Sequence, residues 1–282
     1  MKPLRIGLIG YGFMGRAHSN AYRKVGNFFD LEYQPVLKAI CARNADNAAA
    51  FAKKWGYESI ETDWRKLVAR DDIEAIDICT PNNSHAEIAI AAAKAGKMIL
   101  CEKPLAMDTA EGEEMCQAVE KAGVANIVWY NYRRIPAVGD IRARVAAGEL
   151  GDPVQITVFY QCDYAADPLL PHSWRYEFER AGPGALLDVG THAVDLSRFI
   201  LGDVAEVTGA VSSISIPERF LPAEATVGHG HVALSEKTAK VENDDVTSAL
   251  LRFANGAQGF VTASRVAVGT GNGDPSLKIH QR

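Results

Sequence analysis

The sequence lacks the features that mark nucleic-acid-binding, secreted and membrane-spanning proteins. Lysine and arginine total 30 against 35 aspartates and glutamates, a net charge of −5, and no block of basic residues occurs. This disfavours a nucleic-acid partner or an anionic membrane surface. The apolar runs are short and interrupted, so none is long enough to span a bilayer. The start of the sequence shows neither a signal-peptide h-region nor a small-residue cleavage site, and we therefore expect a cytoplasmic protein.

Cysteine is also scarce, and its pattern argues the same way. The five cysteines, at positions 41, 79, 101, 116 and 162, are odd in number and form no CxxC pair. They fit reduced, mostly buried thiols of an intracellular protein.

With 48% hydrophobic and 23% charged residues, the composition is that of a globular protein and argues against disorder, collagen or a coiled coil. A chain of 282 residues suffices for one large domain or two ordinary ones.

The first 130 residues alternate between short apolar runs and helical stretches. The runs predict strands over 4–9, 35–41, 75–79, 97–101 and 127–130. The stretches between them predict helices over 14–26, 45–55, 84–95 and 109–122, with Thr109 as an N-cap and Gly123 as a helix end. Strands that alternate with helices indicate βαβ units and a mainly parallel, doubly wound sheet.

The pattern changes after Tyr130. A helix over 136–147 is followed by β-rich stretches at 153–162, 204–216, 246–253 and 257–268, with one strong helix over 184–201. Strands without intervening helices predict an antiparallel sheet. Residues 217–243 have little apolar pattern, and we expect them to form a long loop. The fold class is therefore α/β, with one domain over 1–130 and a second α/β domain over 131–282 that has a large, mainly antiparallel, open sheet.

A glycine motif directly follows the first strand and opens the first helix. It comprises Gly10, Tyr11, Gly12, Phe13, Met14 and Gly15. GxGxxG is weak alone, but in this position it indicates a Rossmann dinucleotide-binding domain. The three glycines allow a tight turn, close approach of a pyrophosphate, and close packing of helix on strand, in that order. The helix N-terminus favours the anion. The alternative is a tight turn without a ligand.

The end of the second strand bears on the choice of cofactor. An NAD site often has an acidic residue there, which binds the ribose 2′-hydroxyl. Asp30 and Glu32 instead precede the strand, and Arg43 follows it. Because a guanidinium suits a 2′-phosphate, we expect NAD or NADP, with a lean towards NADP tolerance. The alternative is a solvated Arg43 beside a site that binds NAD through backbone contacts.

Three further motifs lie after strands or on the helix over 184–201. They are Thr80-Pro81-Asn82-Asn83-Ser84-His85, Cys101-Glu102-Lys103-Pro104-Leu105 and the segment GALLDVGTH over 184–192. With the glycine motif, they make the chain from about Pro3 to Gly269 similar to the Gfo/Idh/MocA oxidoreductases, which include inositol 2-dehydrogenase. The resemblance implies a Rossmann domain and an α/β domain whose open sheet forms the oligomer interface, so we expect a homodimer or homotetramer.

The resemblance also implies roles for individual residues. Lys103 would lie at the catalytic centre, followed by a cis bond to Pro104. The residues expected to line the nicotinamide and its ribose are Thr80, Pro81, Asn82, His85, Glu102, Lys103 and Pro104. Asn82 could instead shape a turn, with Ser84 capping the next helix. The expected substrate-side residues are Tyr132, Arg133, Trp174 and Arg175, although Trp174 could equally be core.

Hydride transfer from a hydroxyl needs a proton acceptor that titrates near the working pH, and histidine is the natural candidate. His192 follows Asp188 by four residues on the predicted helix, which places both on one face. The resemblance implies that they are the acid/base and its partner. A cation such as Lys103 can stabilise developing negative charge. The alternatives are a structural His–Asp pair or half of a metal site. We expect no metal, since His229-Gly230-His231 lies in a predicted loop, and His18 is expected only to pack or cap locally.

These observations predict an NAD(P)-dependent dehydrogenase that acts on a secondary hydroxyl of a sugar or cyclic polyol. A non-catalytic NAD(P)-binding sensor or regulator and a reductase of an imine-type substrate are the alternatives. The resemblance implies further strands after Gly269, whereas residues 270–282 are rich in turn formers. We therefore expect a shortened C-terminus that leaves an open sheet edge.

Overall fold

The apolar runs of the first 130 residues form one parallel sheet. The structure, a computed structural model, describes residues 1–224, 231–271, 273 and 275–281 and divides the chain into two units, Met1–Trp129 and Tyr130–Arg282. The strands of the first unit are β1 (Lys2–Ile9), β2 (Tyr33–Cys41), β3 (Ser59–Glu61), β4 (Ala75–Ile78), β5 (Met98–Cys101) and β6 (Asn126–Val128). They pair in the order β3-β2-β1-β4-β5-β6, all parallel. This is the Rossmann order, and the predicted doubly wound sheet is confirmed.

Helices follow the strands of this unit. They are α1 (Phe13–Lys24), α2 (Ala45–Trp55), α3 (Trp64–Val68), α4 (His85–Lys94) and α5 (Thr109–Ala122). Gly123 ends α5 in the left-handed region, with φ of 63°, as predicted. The predicted N-cap was wrong by one residue, because the side chain of Asp108, not Thr109, accepts the hydrogen bond from the Glu111 backbone N–H.

The core of the first unit lies between the sheet and its helices. Ile76 and Ile78 of β4 are fully buried, and the alanine-rich α4 packs against them and against α5. Small side chains on α4 let the helices approach closely. Apolar side chains on the strands are therefore buried between two layers, which explains why the strands read as continuous apolar runs.

The second unit contains a separate sheet, one face of which is covered by helices. Its elements are α6 (Pro136–Ala146), β7 (Pro153–Gln161), α7 (Phe178–Ala181), α8 (Thr191–Leu201), β8 (Val204–Ser213), β9 (Glu218–Pro222), β10 (Leu234–Lys240), β11 (Val246–Phe253), β12 (Gln258–Ser264) and β13 (Ser276–Gln281). Five strands pair in the order β13-β7-β12-β11-β8, antiparallel except for β7 with β12. The mainly antiparallel sheet is confirmed. One face packs on α8 through a buried apolar cluster.

Two expectations about this unit were wrong. Residues 217–243, predicted as a loop, contain the antiparallel pair β9 and β10, although 225–230 lie outside the described residues. Segment 270–282 is not only turns, because β13 pairs along β7. Leu277 and Ile279 pack on the core while Lys278 lies between them. That alternation of apolar and polar residues is the strand signal that the turn-rich start of the segment obscured.

Candidate functional site

The glycine motif forms a tight turn at the carboxyl end of β1. Gly10 has φ of +103°, and a Cβ atom there would lie 2.4 Å from the Cys79 carbonyl oxygen. A Cβ atom on Gly15 would lie 2.2 Å from the Gly10 carbonyl oxygen. A Cβ on Gly12 would meet no heavy atom of the described residues within 4 Å. Gly10 and Gly15 are therefore required by packing, whereas the space at Gly12 is open for a ligand.

The start of α1 can receive an anion. Gly12 is its N-cap and makes no side-chain hydrogen bond, so the first backbone N–H groups of the helix are not capped by that residue. Phe13 is exposed and Met14 is half-buried. Free N–H groups and the positive end of the helix dipole stabilise a phosphate. These observations fit the pyrophosphate of a dinucleotide.

The end of β2 leads into the start of α2. The Asn44 side chain caps α2 by accepting from the Asn47 backbone N–H at 2.9 Å, and the Asn47 amide donates to the Tyr11 hydroxyl at 3.1 Å. Arg43 directly precedes this cap and is exposed. The cap is linked to the glycine motif through the Tyr11 hydroxyl, and Arg43 is exposed directly before it.

The loops after β4 and β5 are joined by His85, which is fully buried. Its Nδ1 lies 2.9 Å from the Pro104 carbonyl oxygen, and its Nε2 lies 3.0 Å from the Thr80 carbonyl oxygen. Burial lowers the pKa of this imidazole below its usual value. His85 therefore lies between the two loops, where a neutral imidazole donates to one of these carbonyl oxygens and contacts the other.

The other predicted loop residues stand at the same edge. The Ser84 hydroxyl oxygen lies 2.6 Å from the Thr80 hydroxyl oxygen and 2.8 Å from the Pro81 carbonyl oxygen, and these contacts tighten the turn around Asn82. The Lys103–Pro104 peptide bond is cis, as the resemblance implied. Lys103 is half-buried. Carboxyl ends of parallel strands are where ligands bind in open α/β sheets.

His18 has a position that local sequence reasoning missed. Its Nδ1 lies 2.9 Å from an Asp77 carboxylate oxygen, and its Nε2 lies 3.0 Å from a Glu102 carboxylate oxygen. Asp77 also accepts from the Tyr22 hydroxyl at 2.8 Å and from the Trp129 indole at 3.4 Å. Because carboxylates only accept hydrogen bonds, both ring nitrogens of His18 must donate, and the ring is an imidazolium.

The charges around His18 agree with this protonation state. Burial alone lowers the pKa of His18, but the hydrogen bonds and charges of Asp77 and Glu102 outweigh it and raise that pKa to about 10. Asp77 is fully buried and Glu102 is 5% exposed. Two buried carboxylates therefore share one buried cation.

His18, Asp77 and Cys79 offer three potential metal-ligand atoms within 4.8 Å of one another. An imidazolium has no lone pair for a metal, and burial beside Asp77 raises the pKa of the Cys79 thiol well above its usual value. This set therefore suits a hydrogen-bonded cluster better than a metal. The segment His229-Gly230-His231 was the other place considered for a metal. His229 and Gly230 lie outside the described residues.

In the second unit, His192 lies on α8 among aromatic rings. The ring centroids of Tyr132, Tyr160 and Tyr130 lie 4.9, 5.7 and 5.8 Å from that of His192. His192 is 6% exposed. The Tyr132 and Tyr160 hydroxyls lie 2.6 Å apart. The surrounding tyrosine rings restrict the motion of this buried imidazole.

Asp188 lies on one turn of π-helix, Leu186–Gly190, that directly precedes α8. The predicted continuous helix is thus divided at this turn. The Asp188 carboxylate accepts from the Tyr164 hydroxyl at 2.6 Å. Burial and the Asp188 charge raise the pKa of Tyr164 well above its usual value, so the tyrosine remains a donor. π-Turns inside helices occur frequently at functional sites.

Asp244 holds the start of the segment that carries Asp188 and His192. Its carboxylate accepts from the backbone N–H groups of Gly184 at 2.7 Å and Leu186 at 2.9 Å, and from the Thr247 hydroxyl at 2.7 Å. A Cβ atom on Gly184 would lie 2.2 Å from the Asp244 carbonyl oxygen. The glycine of the GALLDVGTH segment is therefore required by this close approach.

The predicted substrate-side residues differ in their partners. The Arg133 guanidinium forms a two-pronged pair with Asp195, with Nε donating at 2.7 Å. The Arg175 guanidinium stacks 4.6 Å from the Trp174 ring centroid. Tyr132 contacts His192 as described above. Arg133 thus has an acidic partner on α8, whereas Tyr132 lies beside the candidate base.

Comparison with known proteins agrees with these features. Residues 4–132 match the model of an oxidoreductase family with an NAD-binding Rossmann fold, GFO/IDH/MocA, and residues 138–281 match the C-terminal domain of that family. No helix in the described part of the chain is both long and apolar enough to cross a membrane.

Similar proteins include several dehydrogenases. The chain is 43% identical over 274 residues to levoglucosan dehydrogenase of Pseudarthrobacter phenanthrenivorans, covering 96% of this chain and 70% of that protein. It is 28% identical to myo-inositol 2-dehydrogenase of Thermotoga maritima, covering 94% and 70%. A structure of levoglucosan dehydrogenase with NADH and L-sorbose superposes with a TM-score of 0.92 at 41% identity, covering 100% of this chain and 71% of that one.

Proposed function

The chain belongs to the Gfo/Idh/MocA family of oxidoreductases, and we propose on that premise that it transfers a hydride between a nicotinamide cofactor and a secondary hydroxyl of a sugar or cyclic polyol. The relatives that it resembles at 43% and 28% identity are named for levoglucosan and myo-inositol. The observation that carries the proposal is the combination of an open glycine turn in one unit with a buried, oriented histidine in the other.

The glycine turn fits the proposed cofactor. Gly12 leaves open space at the start of α1, where backbone N–H groups would hold the pyrophosphate. The loops after β4 and β5, with Thr80, Pro81, Asn82, Glu102 and Lys103, would hold the nicotinamide and its ribose. Bound NAD supplies the hydride acceptor. His85, Pro104, Gly10 and Gly15 belong to the same proposed cofactor site, His85 through its contacts with the Thr80 and Pro104 carbonyl oxygens and the two glycines through the close packing of the turn.

The proton chemistry is assigned to three side chains. His192 accepts the hydroxyl proton, because its ring is held among tyrosines in a fixed orientation. Lys103 stabilises negative charge on the reacting oxygen. Asp188, fixed by Tyr164, orients the substrate hydroxyl or the imidazole. Tyr132, Arg133, Trp174 and Arg175 are the proposed substrate-side residues, of which Arg133 acts with Asp195 as a pair.

The proposal is tested with His192→Ala and Lys103→Ala. Cofactor reduction is followed by absorbance over a panel that contains levoglucosan, myo-inositol and common pyranoses. We expect each variant to lower kcat at least about 100-fold, as expected on loss of a general base or an electrostatic stabiliser. NADH binding, measured by fluorescence, should stay within about threefold. Lys121→Ala, on the exposed end of α5, is the matched control. Unchanged turnover in both variants would overturn the assignment.

We further propose that NADP is accepted beside NAD, with Arg43 binding the 2′-phosphate. Arg43 is exposed and directly follows the strand end where a 2′-substituent is recognised. Arg43→Ala should weaken NADPH binding much more than NADH binding. An equal loss of affinity for both nucleotides would contradict this role.

Self-association through the second sheet is proposed as well. Val211 and Leu250 are 68% and 52% exposed. Leu250 pairs with Gly209 and Ser248 pairs with Val211 across β8 and β11, so Val211 and Leu250 lie on one face, opposite the buried Leu251. We expect a homodimer or homotetramer, which Val211→Asp should dissociate in light-scattering measurements. A monomeric parent protein would refute this proposal.

A cytoplasmic location is the last part of the proposed function. All five cysteines lie in the described part of the chain, and none forms a disulfide there. Cysteines that do not form disulfides are typical of reducing compartments. Fractionation of cells that express the chain, followed by immunoblotting, tests this location.

A further inference from the structure

The cluster around His18 connects the glycine helix to the loop of the proposed catalytic lysine. His18 is on α1, three residues after Gly15, and its Nε2 donates to a Glu102 carboxylate oxygen at 3.0 Å. The other Glu102 oxygen accepts from the backbone N–H of Lys103 at 3.1 Å. One carboxylate therefore joins the imidazole to the backbone that carries the Lys103 side chain.

We propose that His18 is a positioning residue that holds the Lys103 backbone in place through the Glu102 carboxylate. This inference rests on the role proposed for Lys103, and it gives Glu102 a positioning task in addition to its proposed place beside the cofactor. The reaction depends on placement of the lysine, because an error of about 1 Å at a reacting group can cost about 100-fold in rate.

Loss of the hydrogen bond at His18 Nδ1 has different consequences from loss of the one at Nε2. On the Asp77 side, Tyr22 and Trp129 also donate to the carboxylate, so Asp77 keeps partners when His18 Nδ1 is lost. On the Glu102 side, His18 donates to one oxygen and the Lys103 backbone to the other. Loss of Nε2 therefore releases the Glu102 side chain to rotate, and the hold on Lys103 is lost with it.

The charge of His18 strengthens this hold. The titratable groups that face the ring are Asp77 from β4, Cys79 after β4, Glu102 after β5 and Tyr22 from α1. The pKa of His18 is raised to about 10 by the two carboxylates. The imidazolium therefore persists at neutral pH, and its hydrogen bonds to the two carboxyl groups are charge-assisted.

Two amide variants distinguish the hydrogen bond to Asp77 from the hydrogen bond to Glu102. In His18→Gln the side-chain amide nitrogen reaches the position of Nε2 and can still donate to Glu102. In His18→Asn the amide nitrogen reaches only the position of Nδ1 and can donate to Asp77. Both variants remove the charge and the ring, so a purely structural role for His18 predicts similar losses in the two.

The first measurement is hydrogen exchange of the peptide that contains Lys103, followed by mass spectrometry without substrate or cofactor. We expect exchange of the Lys103 amide to accelerate at least about tenfold in His18→Asn and to stay within about threefold of the parent in His18→Gln. Equal protection in both variants would overturn the proposal. This measurement needs no turnover, so it tests the positioning of Lys103 even if no sugar in the panel is oxidised. Failure to oxidise any sugar would count against the proposed function alone.

The second measurement is steady-state kinetics on the same variants. We expect kcat to fall about 10- to 100-fold in His18→Asn. In that variant, KM for the sugar and the dissociation constant of NADH should stay within about threefold of the parent values. In His18→Gln, kcat should be close to the parent value.

If His18→Asn does not fold, Glu102→Gln replaces it. The glutamine side chain keeps one oxygen, which can still accept from the Lys103 backbone N–H. Its amide nitrogen cannot accept a hydrogen bond from His18. The Lys103 amide should therefore lose only part of its protection against hydrogen exchange. Equal kcat in His18→Asn and His18→Gln would contradict the positioning role.

Discussion

Gly12→Ala should separate cofactor binding from folding, because the three glycines of the motif have different surroundings. Gly12 has φ of −62°, which any residue adopts, and a Cβ there meets no heavy atom of the described residues within 4 Å. The cost is limited to replacement of glycine by alanine at an N-cap, about 0.5–1 kcal/mol. The added methyl group would instead occupy the space that a pyrophosphate needs.

Gly10→Ala is the contrasting change. With φ of +103°, alanine costs about 1–2 kcal/mol from the backbone alone. The Cβ would also lie 2.4 Å from the Cys79 carbonyl oxygen, and overpacking of this kind adds about 1–3 kcal/mol. Gly10→Ala should therefore lower the free energy of unfolding by about 2–5 kcal/mol, several times the effect at Gly12.

The assay pairs urea unfolding with fluorescence titration of NADH. We expect Gly12→Ala to unfold within about 1 kcal/mol of the parent and to bind NADH at least about tenfold more weakly, which corresponds to about 1.4 kcal/mol. Gly139→Ala, inside α6 where a Cβ also has open space, controls for a generic glycine replacement and should bind NADH normally. Normal NADH affinity in a folded Gly12→Ala protein would refute the assignment of this turn to the pyrophosphate.

Two further predictions concern the support of the site. Asp244→Ala removes the acceptor for the Gly184 and Leu186 N–H groups and for the Thr247 hydroxyl, and should lower the free energy of unfolding by about 3 kcal/mol or more in urea titrations; Asp244→Asn should lose less, and equal stability of all three proteins would contradict the role. Because the pKa of His18 is raised in the folded state, its contribution to stability is complete below about pH 6.5, the unfolded value, and is lost as the pH rises towards 10. The difference in unfolding free energy between the parent and His18→Asn should therefore shrink over that range, and a constant difference would show that His18 is not the group that titrates.

The parallel sheet could be predicted from sequence because its signals are local. Each strand is a short apolar run, and each helix begins or ends near a capping residue, as at Gly123. The same logic failed where the local pattern was mixed. β9 begins with Glu218 and Arg219 and β10 is largely polar, so neither resembles a buried strand. Arg219 is fully buried nonetheless, because its guanidinium donates to backbone carbonyl oxygens, including that of Asp167 at 2.9 Å.

The candidate residues of the site were found through motifs, whereas their supporting contacts depend on tertiary structure. His85 has its ring nitrogens beside the carbonyl oxygens of Thr80 and Pro104, a contact that the motif does not reveal, and its contact with the cofactor stays a prediction. The hydrogen bond between Asp188 and Tyr164 joins residues 24 positions apart in the chain, and the hydrogen bond between Asp244 and Gly184 joins residues 60 positions apart. Neither follows from spacing along a helix, since the partners come from different elements.

The His18 cluster shows which sequence signal was available for such contacts. Asp77 lies within the strand Ala75-Ile76-Asp77-Ile78, whose four residues are all buried. A carboxylate at such a position needs a cation or several donors, because an unpaired buried charge is too costly. The partner must come from the helix layer that covers the strand, and α1 presents Gly15, His18 and Tyr22 at intervals of three and four residues, which is one face. An isolated acidic residue in an apolar strand thus predicts a basic or hydroxyl side chain on the adjoining helix, even though the two are 59 residues apart in the chain.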